Sequence, residues 1–425
     1  MTELQMQDVE CSCSKDAASL LSVDEARRIA LELVAPLQGC ELLPLADALG
    51  RVVSRDLRAS SAMPFFDNSA MDGYAVSTQS LIGEPPWQLP VSGTIAAGDS
   101  PNSIGVDRSR PAAVRILTGA PVTAGLDAVI PQEEVDGRDG KVTIHRRPKL
   151  GSNIRFAGSD MARGALLVGA GTRLTSHLVG LLAANGYNFI NVVQLPRIAL
   201  FSTGDELAQP GARAKPGQIY DCNKPMLMAM LAQMGIAADD LGSLPDDLSA
   251  TQAFLSDCHN RYDLLISTGS VSVGERDFLQ SAFVAAGGLV KNWKVAIKPG
   301  KPVLFGKLGN TAFTGLPGNP FAAYVGFCLF VKPKINRLLS LEPGFGFDTT
   351  AIADFSWERK QGRLEVFPVK VSAWSSSGPP EVTRLGNSVS ATLYPLANAD
   401  GLAQVPAECI AVRPGDKILW QQFQM

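Results

Sequence analysis

The sequence predicts an α/β protein with additional β domains, arranged around a central three-layer α/β domain. Its 425 residues exceed what one hydrophobic core usually needs, so we expect roughly two to four domains. Strand-like apolar runs alternate with helical periodicity from Arg197 onward, whereas turn residues dominate before that point. The helical pattern disappears again after Leu341, which predicts a small C-terminal β domain.

The composition is that of a folded globular protein, with 46% apolar and 19% charged residues. A formal net charge of −3 argues against general binding to nucleic acid or to anionic lipid, but it does not exclude a local lysine cluster that holds a phosphate. The N-terminal segment lacks the basic and apolar regions of a secretory signal. The most apolar run, 320–331, is too short to span a bilayer, so we expect a cytoplasmic protein without membrane contact.

Cysteine and histidine usage argues against a disulfide framework and against a zinc site. The chain has 7 Cys, an odd number without a CxxC pair, and only 3 His. Cys11 and Cys13 lie in a polar N-terminal tail, where we interpret them as free thiols. The sequence does not indicate what this tail does.

The first predicted helix follows a capping box, in which Ser22 and Glu25 precede apolar-periodic positions. We expect this helix to end near Pro36. Over 45–193, short apolar runs alternate with Gly, Pro, Asn and Asp, which predicts strands and turns. One helix, over 175–184, interrupts this β-rich region.

Strands then alternate with helices, which predicts a parallel sheet covered on both faces. Asn223 is the expected N-cap of one helix, and Asn319 is the expected N-cap of another, which has Pro320 at its first position. The predicted strands cover 197–202, 263–267, 303–305 and 311–314, and the predicted helices cover 224–234, 277–286 and 319–339.

Three polar or Gly-rich segments directly follow predicted strands, at 203–206, 268–277 and 315–320. Ligands of such sheets lie at the carboxyl ends of the strands, so we expect the three segments to share one edge. Small residues before a helix expose backbone N–H groups to an anion. The segment 268–277 is not a Walker A loop, because no GK[ST] ends it. Taken alone, 315–320 is equally typical of simple turn chemistry.

A lysine run lies between these segments. Lys294, Lys298 and Lys301 fall within eight residues that also contain Pro299 and Gly300. Proline restricts the backbone, and glycine lets a ligand approach it. A rigid basic loop in a mildly acidic protein suits a phosphate or another oxyanion. Composition alone slightly favours a solvated lysine-rich turn, whereas the position beside the strand-end segments favours an anion site.

Acidic residues accompany these loops. Glu206 follows the first strand of the α/β region, Asp246 follows Leu244 closely, and Asp277 opens a predicted helix. Carboxylates beside phosphate oxygens are the ligands that Mg²⁺ takes, which indicates a divalent metal site. Taken one by one, each of these residues is more typical of a helix cap or a surface acid.

Three polar turns stand out in the β-rich region, at 64–75, 118–121 and 153–160. The first contains Asp67 and Asn68 without a charged partner nearby in sequence. The residue pattern identifies all three as turns, and nothing in it joins them to the α/β region.

Short motifs follow one another along the chain in a recognisable order. They are DNSAMDG at 67–73, ILTGAP at 116–121, NIR at 153–155 with GSD at 158–160, STGDEL at 202–207, VSVG at 271–274, AIKPGKP at 296–302 and GLPGNP at 315–320. Together they resemble the molybdopterin molybdenumtransferase family of molybdenum-cofactor biosynthesis, which is related to the E domain of gephyrin. The resemblance extends from about Ser22 to Pro406, and seven motifs in order are far more specific than any one of them.

The resemblance implies a four-part protomer in an elongated homodimer, with an adenylyltransferase-like α/β domain and a C-terminal β-barrel-like domain. The reaction it implies is insertion of molybdate into adenylylated molybdopterin with release of AMP, dependent on Mg²⁺. Further implied partners are the adenylyltransferase and molybdoenzyme chaperones. The implied domains are 1–60 with 155–195 as a linker and dimer domain, 61–154 as a β-rich insertion, 196–340 as the molybdopterin-binding α/β domain, and 341–425 as the small β domain.

The resemblance also implies roles for individual residues. Matched positions in the β-rich part would reach the cleft of the partner subunit, and the matched lysines would face pterin phosphate and molybdate. The residues implied for catalysis are Asp67, Thr118, Asp160, Glu206, Asp277, Lys294 and Lys298; those for substrate binding are Ser272, Lys298, Lys301, Pro302, Gly315, Asn319, Arg363 and Ser388; those for the metal are Glu206, Asp246 and Asp277.

Three positions depart from the family pattern, namely Ser270, Ala322 and Asn387. Two other interpretations stay open. One is the adenylyltransferase step itself, because the α/β domains resemble each other, although the β-rich and C-terminal regions argue against it. The other is a scaffold that uses the dimer to organise partners and has lost catalysis, and the three departures are its only support in the sequence. The sequence does not indicate a preference between molybdate and tungstate, nor the molybdoenzymes that receive the product.

Overall fold

A computed structural model describes residues 20–101, 103–105, 110–208, 211–269, 278–344, 346–386 and 390–423. These residues form two compact units. The larger unit contains the described residues up to Glu41, Gly50–Val52 and the described residues from Val192 onward, and the smaller unit contains Leu42–Leu49 and Val53–Asn191. The division into four domains stays a prediction.

The helices of the described residues follow the chain as eight α-helical segments. They are α1 (Val23–Glu32), α2 (Ser176–Ala184), α3 (Asn223–Gln233), α4 (Leu248–Asp257), α5 (Leu279–Ala285), α6 (Pro320–Gly326), α7 (Lys332–Leu338) and α8 (Tyr394–Ala397). A π-helical turn, Phe327–Val331, joins α6 to α7, and 3₁₀ turns occur at Leu45–Asp47, Thr78–Ser80 and Gln132–Glu134.

The strands before the α/β sheet are β1 (Cys40–Pro44), β2 (Leu57–Arg58), β3 (Asn68–Ser69), β4 (Gly73–Val76), β5 (Trp87–Ile95), β6 (Ala113–Ile116), β7 (Ala128–Pro131), β8 (Val135–Arg138), β9 (Lys141–Ile144), β10 (Ile154–Arg155), β11 (Leu166–Val168) and β12 (Phe189–Val193). Those that follow are β13 (Ile198–Thr203), β14 (Asp239–Leu244), β15 (Leu264–Thr268), β16 (Leu289–Lys294), β17 (Ile297–Lys298), β18 (Pro302–Leu308), β19 (Thr311–Leu316), β20 (Thr349–Ala353), β21 (Trp357–Glu358), β22 (Leu364–Ala373), β23 (Glu381–Arg384), β24 (Gly401–Val405), β25 (Ala411–Val412) and β26 (Lys417–Gln422).

Helix α1 begins as its capping box predicts. The backbone N–H of Glu25 donates to Ser22 Oγ at 3.2 Å, and the backbone N–H of Ser22 donates to the Glu25 carboxylate at 3.0 Å. Val23, Ala26 and Ala30 are buried on one face and belong to the largest apolar core. Local hydrogen bonds therefore fix the start of the helix, and burial fixes its orientation.

The larger unit contains a six-stranded sheet with the order β14-β13-β15-β19-β18-β16. The first four strands in this order are parallel, as predicted. β18 and β16 run antiparallel to their neighbours, so the prediction of a fully parallel sheet is wrong at this edge. The physical reason is the two-residue connection Gly309–Asn310, since a parallel neighbour needs a longer crossover.

Alternating residues of the central strands enter two different cores. Leu200 and Ile266 are fully buried in the core that also contains α3 and α6 residues, whereas Phe201 and Leu265 are fully buried with α4 and α5 residues. Successive side chains of a strand point to opposite faces, so both faces of this sheet are buried.

The predicted helix 319–339 is confirmed as α6, the π-helical turn and α7, with Pro320 as its first residue. The apolar side chains of this helix are buried, as its composition predicts. Within the part of the chain that the structure describes, no helix is long and apolar enough to cross a membrane. The cysteines in that part are free: Cys40, Cys222, Cys258, Cys328 and Cys409.

The C-terminal strands close into a five-stranded barrel, which confirms the predicted β domain. Its order is β22-β23-β20-β26-β24, and β24 pairs back onto β22. Strand β17, which comes from the lysine run, adds to the barrel in parallel with β22 and places Lys298 beside Glu365. The lysine run is therefore attached to the barrel by backbone pairing.

The smaller unit is β-rich, as predicted, and contains α2. Its main sheet has six strands in the order β7-β4-β6-β5-β9-β8. Its apolar core includes a cluster around Tyr74 and Trp87 and another around Ile95 and Ile116. A separate short pair, β3 with β10, carries the first and third of the polar turns.

Candidate functional site

The carboxyl ends of β13, β15 and β19 meet at one edge of the sheet, as predicted. Ser202 pairs in register with Thr268, and Thr268 pairs with Leu316. The backbone N–H of Gly269 donates to Leu316 O at 3.2 Å. Most of the second strand-end segment, 270–277, lies outside the described residues, and with it Ser270, Ser272 and Asp277.

Asn223 joins two of these strand ends, and the prediction that it caps a helix is wrong. The N-cap of α3 is Cys222, and Asn223 is the first helical residue. Asn223 Nδ2 donates to Thr268 Oγ1 at 2.8 Å and to Gly318 O at 2.7 Å. The Asn223 side chain therefore makes tertiary hydrogen bonds instead of the helix-capping bond that the local sequence predicts.

We expect Asn223→Ala to lower the free energy of unfolding by about 1–3 kcal/mol, because it leaves the buried Thr268 hydroxyl without its donor and also removes the bond to Gly318 O. Denaturant unfolding monitored by circular dichroism measures this change. Asn398→Ala is the control, since Asn398 is exposed and bonds only within its own helix, to Tyr394 O. An unfolding midpoint for Asn223→Ala equal to that of the control would contradict the role given to Asn223.

The predicted metal ligands lie partly at this edge. The backbone N–H of Asp246 donates to Asp205 Oδ1 at 3.1 Å, so the loops after β13 and β14 are adjacent, and Glu206 is exposed on the first of them. Among the described residues, which do not include Asp277, no three His, Cys, Asp or Glu side chains are grouped to hold a metal. Carboxylate oxygens with substrate phosphates are nevertheless a donor set that suits Mg²⁺.

The lysine run is held by backbone hydrogen bonds on two sides. Val295 N donates to Lys301 O at 2.9 Å, and Leu364 N of the barrel donates to Ala296 O at 2.9 Å. Gly300 has φ +99°, a conformation that favours glycine. A β-carbon at Gly300 would lie 3.5 Å from Ala322 O, so one position that departs from the family pattern packs beside this loop.

Lys298 forms an ion pair with the barrel. Its Nζ lies 2.8 Å from Glu365 Oε1, and the Lys298 and Glu365 side chains are 41% and 5% exposed. Arg363, two residues before Glu365, is half-buried. Glu365 did not emerge from the sequence, although an acid at an alternate position after Arg363, inside an apolar strand, is a signal that points to it.

Asn319 occupies the N-cap position of α6, as predicted, but its side chain bonds elsewhere. Nδ2 donates to Ser390 Oγ at 3.1 Å, and the backbone N–H of Phe321 donates to Ser390 O at 3.1 Å. The sequence did not single out Ser390. The neighbouring positions 387–389, and so Asn387 and Ser388, lie outside the described residues.

Two further predicted residues belong to the sheet rather than to a loop. Gly315 is buried in β19 and pairs with Ser267 and Leu304. Pro302 is the first residue of β18 and pairs with Lys294. Both positions therefore support the strand ends, and their side chains offer no polar group to a ligand.

In the smaller unit the three predicted polar turns converge. Asp67 Oδ1 accepts a hydrogen bond from Ala157 N of the third turn at 2.7 Å. Ser69 N donates to Ala120 O of the second turn at 3.0 Å. Asp160 follows on the third turn, where its backbone N–H donates to Met63 O at 3.0 Å. Tertiary pairing thus brings together segments that the sequence could identify only as separate turns.

Thr118 is tied to an aspartate that the sequence did not single out. The Thr118 backbone N–H and hydroxyl both donate to Asp72 Oδ1, each at 2.7 Å. These hydrogen bonds lower the pKa of the Asp72 carboxyl. The ionised carboxylate therefore fixes the second turn against the first.

Family models match most of the chain. A model described as "MoeA N-terminal region (domain I and II)" matches residues 21–186. A model described as "Probable molybdopterin binding domain" matches 199–337, and one described as "MoeA C-terminal region (domain IV)" matches 350–423. The three matches cover both units and the barrel.

Curated relatives and solved structures agree with these models. The chain is 38% identical over 352 residues to the molybdopterin molybdenumtransferase of Haemophilus influenzae, covering 81% of this chain and 85% of that protein. It is 34% identical over 411 residues to molybdopterin molybdenumtransferase 2 of Mycobacterium tuberculosis, covering 93% and 98%. A crystal structure of the molybdopterin biosynthesis moeA protein from Pyrococcus horikoshii matches with a TM-score of 0.81 and 26% identity, covering 95% of this chain and 100% of that chain.

Proposed function

The chain belongs to the molybdopterin molybdenumtransferase family, and from this premise we propose that it inserts molybdate into adenylylated molybdopterin and releases AMP. The product of this reaction is molybdenum cofactor. We further propose that the enzyme is a cytoplasmic homodimer that receives its substrate from an adenylyltransferase and delivers its product to molybdoenzyme chaperones.

The observation that carries this proposal is the position of the lysine run. It connects the strands of the α/β sheet to the barrel, and the partly exposed Lys298 lies beside Glu365, two residues after half-buried Arg363. Molybdate, the pterin phosphate and the adenylate phosphate are all anions that repel one another. Fixed cations that neutralise them lower the cost of bringing the reactants together.

The residues divide the work of binding and orientation. The strand-end loops would hold the adenylate and phosphates, whose remote binding energy keeps the dithiolene in place. Lys294, Lys298 and Lys301 would face pterin phosphate and molybdate, together with Arg363. As the two molybdenum–sulfur bonds form, molybdenum–oxygen bonds of molybdate break, and those oxygens leave as water with protons from the thiols and the solvent. One water molecule hydrolyses the phosphoanhydride bond to AMP and the pterin phosphate, and loss of AMP makes the insertion effectively irreversible.

A divalent metal fits this scheme as a neutralising charge. Glu206, Asp246 and Asp277 would hold Mg²⁺ together with phosphate oxygens of the substrate, and the bound ion would offset phosphate charge. We propose that Asp67, Thr118 and Asp160 act in the homodimer, at the cleft of the partner subunit. Their convergence supports a common role, because the second and third turns are both hydrogen-bonded to the first.

The test combines purified protein with adenylylated molybdopterin, molybdate and Mg²⁺. We expect stoichiometric AMP, measured by chromatography, together with cofactor that restores activity to a cofactor-free molybdoenzyme. Chelation of the divalent metal is expected to abolish both signals. Absence of AMP from the authentic substrate would contradict the proposal, and pterin binding without turnover would indicate the scaffold interpretation. Consumption of ATP with free molybdopterin would indicate the adenylyltransferase step instead.

A further inference from the structure

Glu365 is a buried carboxylate at the point where the lysine run joins the barrel. Its side chain is 5% exposed, and its backbone pairs with Lys298 in the β17–β22 register. A buried charge is costly unless opposite charges and hydrogen bonds compensate it. The side chains that compensate the Glu365 charge therefore indicate the role of this carboxylate.

Buried and exposed cations surround Glu365. Arg359 Nε lies 3.6 Å from Glu365 Oε2, and the Arg359 side chain is 2% exposed. The guanidinium is fixed in the barrel, because Nη1 donates to Pro406 O at 2.6 Å and Nη2 donates to Arg363 O at 2.5 Å. Lys298, by contrast, is 41% exposed. Arg359 thus belongs to the interior, and Lys298 belongs to the surface of the site.

The charge balance leaves Lys298 available to a ligand. Arg359 already compensates the single negative charge of Glu365, and half-buried Arg384 also interacts with it electrostatically, so Lys298 adds a net positive charge. The contact from Lys298 Nζ to Glu365 Oε1 is an ion pair without hydrogen-bond alignment. The ammonium is therefore held by charge, and because it has three N–H donors, it keeps donors that a ligand can accept from.

We propose that Glu365 is a positioning residue that holds the Lys298 ammonium ready for a tetrahedral oxyanion. A lysine side chain that is already ordered meets the anion without the entropy cost of being immobilised during binding. Glu365 acts only through Lys298, because direct contact between a carboxylate and an anion is repulsive. This inference rests on the proposed function, which places Lys298 in the anion site.

Removal of the Glu365 charge distinguishes its effect on the position of Lys298 from its direct electrostatic effect on anion affinity. Glu365→Gln deletes a negative charge near the anion, which by itself strengthens anion binding. If Glu365 positions Lys298, the same substitution weakens anion binding instead. We expect Glu365→Gln to bind molybdate about three- to tenfold more weakly, the effect of releasing one long side chain. Glu365→Asp keeps the charge and is expected to retain more of the affinity.

Isothermal titration of the full-length protein with sodium molybdate, and separately with inorganic phosphate, measures these affinities and identifies which oxyanion Lys298 receives. Glu358→Gln is the matched control, because Glu358 is an exposed carboxylate of the same C-terminal region, paired with Arg413, and its loss should leave the affinity unchanged. Thermal unfolding of each variant accompanies the titrations. A merely structural role would lower the melting temperature and leave the Kd of the folded protein unchanged.

A double-mutant cycle with Lys298→Ala completes the test. If Glu365 acts through Lys298, Glu365→Gln causes no further loss of affinity in the Lys298→Ala protein, where only the tightening from the deleted negative charge can remain. The same fold-loss in both backgrounds would overturn the proposal, as would equal or tighter binding by Glu365→Gln alone, or no oxyanion binding by the wild type. A wild type that binds molybdate and yields no AMP would overturn the proposed function, while the comparison of affinities would still decide the positioning role.

Discussion

Replacement of Lys298 by alanine is expected to lower kcat/KM for molybdate insertion by about 10²–10³-fold, the usual effect of losing one preorganised group that stabilises an oxyanion. The Lys298 ammonium is partly exposed, fixed by Glu365, and carried on a strand that is paired with the barrel. A water molecule that replaces it brings no charge and is not held in position. The rate of AMP release with saturating adenylylated molybdopterin and varied molybdate measures the effect.

Lys370→Ala is the control for this prediction. Lys370 lies on β22, the strand that carries Glu365, and it is exposed. Its removal changes the net charge equally and is expected to leave the rate of AMP release unchanged. If both variants lost activity to the same extent, the loss would reflect overall charge, and the specific role of Lys298 would be refuted.

Lys334→Met is expected to stabilise the protein most strongly at and below neutral pH. Lys334 is fully buried in α7, where its ammonium donates to Thr314 Oγ1 at 2.7 Å and to Phe313 O at 3.3 Å. Its Nζ lies 5.2 Å from the centre of the Phe305 ring. No carboxylate among the described residues forms an ion pair with it. Burial therefore lowers the pKa of Lys334 to about 7.

The sign of the pH dependence follows from this direction. Between pH 7 and the unfolded pKa of about 10.4, the unfolded chain binds a proton that the folded chain does not. The loss of folding stability caused by burying the Lys334 amine is thus full at pH 7 and below, and it disappears as the pH approaches the unfolded pKa of about 10.4. The stability difference between Lys334→Met and wild type should shrink by about 1.4 kcal/mol per pH unit over this window.

Urea unfolding at several pH values between 6 and about 10 tests this prediction. Methionine has a similar volume and removes the amine, at the expense of about 1 kcal/mol for the lost hydrogen bonds. That loss is constant with pH, so the slope of the difference is the decisive quantity. Lys370→Met should show no such slope, and a flat difference for Lys334→Met would show that the buried amine does not titrate in this range.

Local chemistry explains which parts of the fold could be predicted from sequence. The capping box at Ser22, the apolar central strands and Pro320 at the start of α6 are set by neighbours in the chain, and all three predictions are confirmed. The meeting of three strand ends at one edge followed from the geometry of parallel strands. Strand β14 was missed because it is a polar edge strand whose residues are exposed or half-buried.

The parts of the candidate site that escaped prediction depend on distant partners. Asn223 looks like a helix cap, yet it bonds to Thr268 and Gly318, which are far away in sequence. Asp72 and Glu365 are ordinary acids until folding brings Thr118 and Lys298 against them. No local pattern contains such pairings. The roles of the predicted catalytic and metal-binding residues stay predictions.

The pairing of β17 with β22 limits where this chain can be truncated or divided into domains. The C-terminal barrel resembles a detachable module at the end of the chain, but one of its neighbouring strands is supplied by the lysine run more than sixty residues earlier. A truncation before β20 would remove the backbone partner of Lys298 along with the barrel. Domain exchange between relatives should therefore treat the lysine run and the barrel as one transplantable piece.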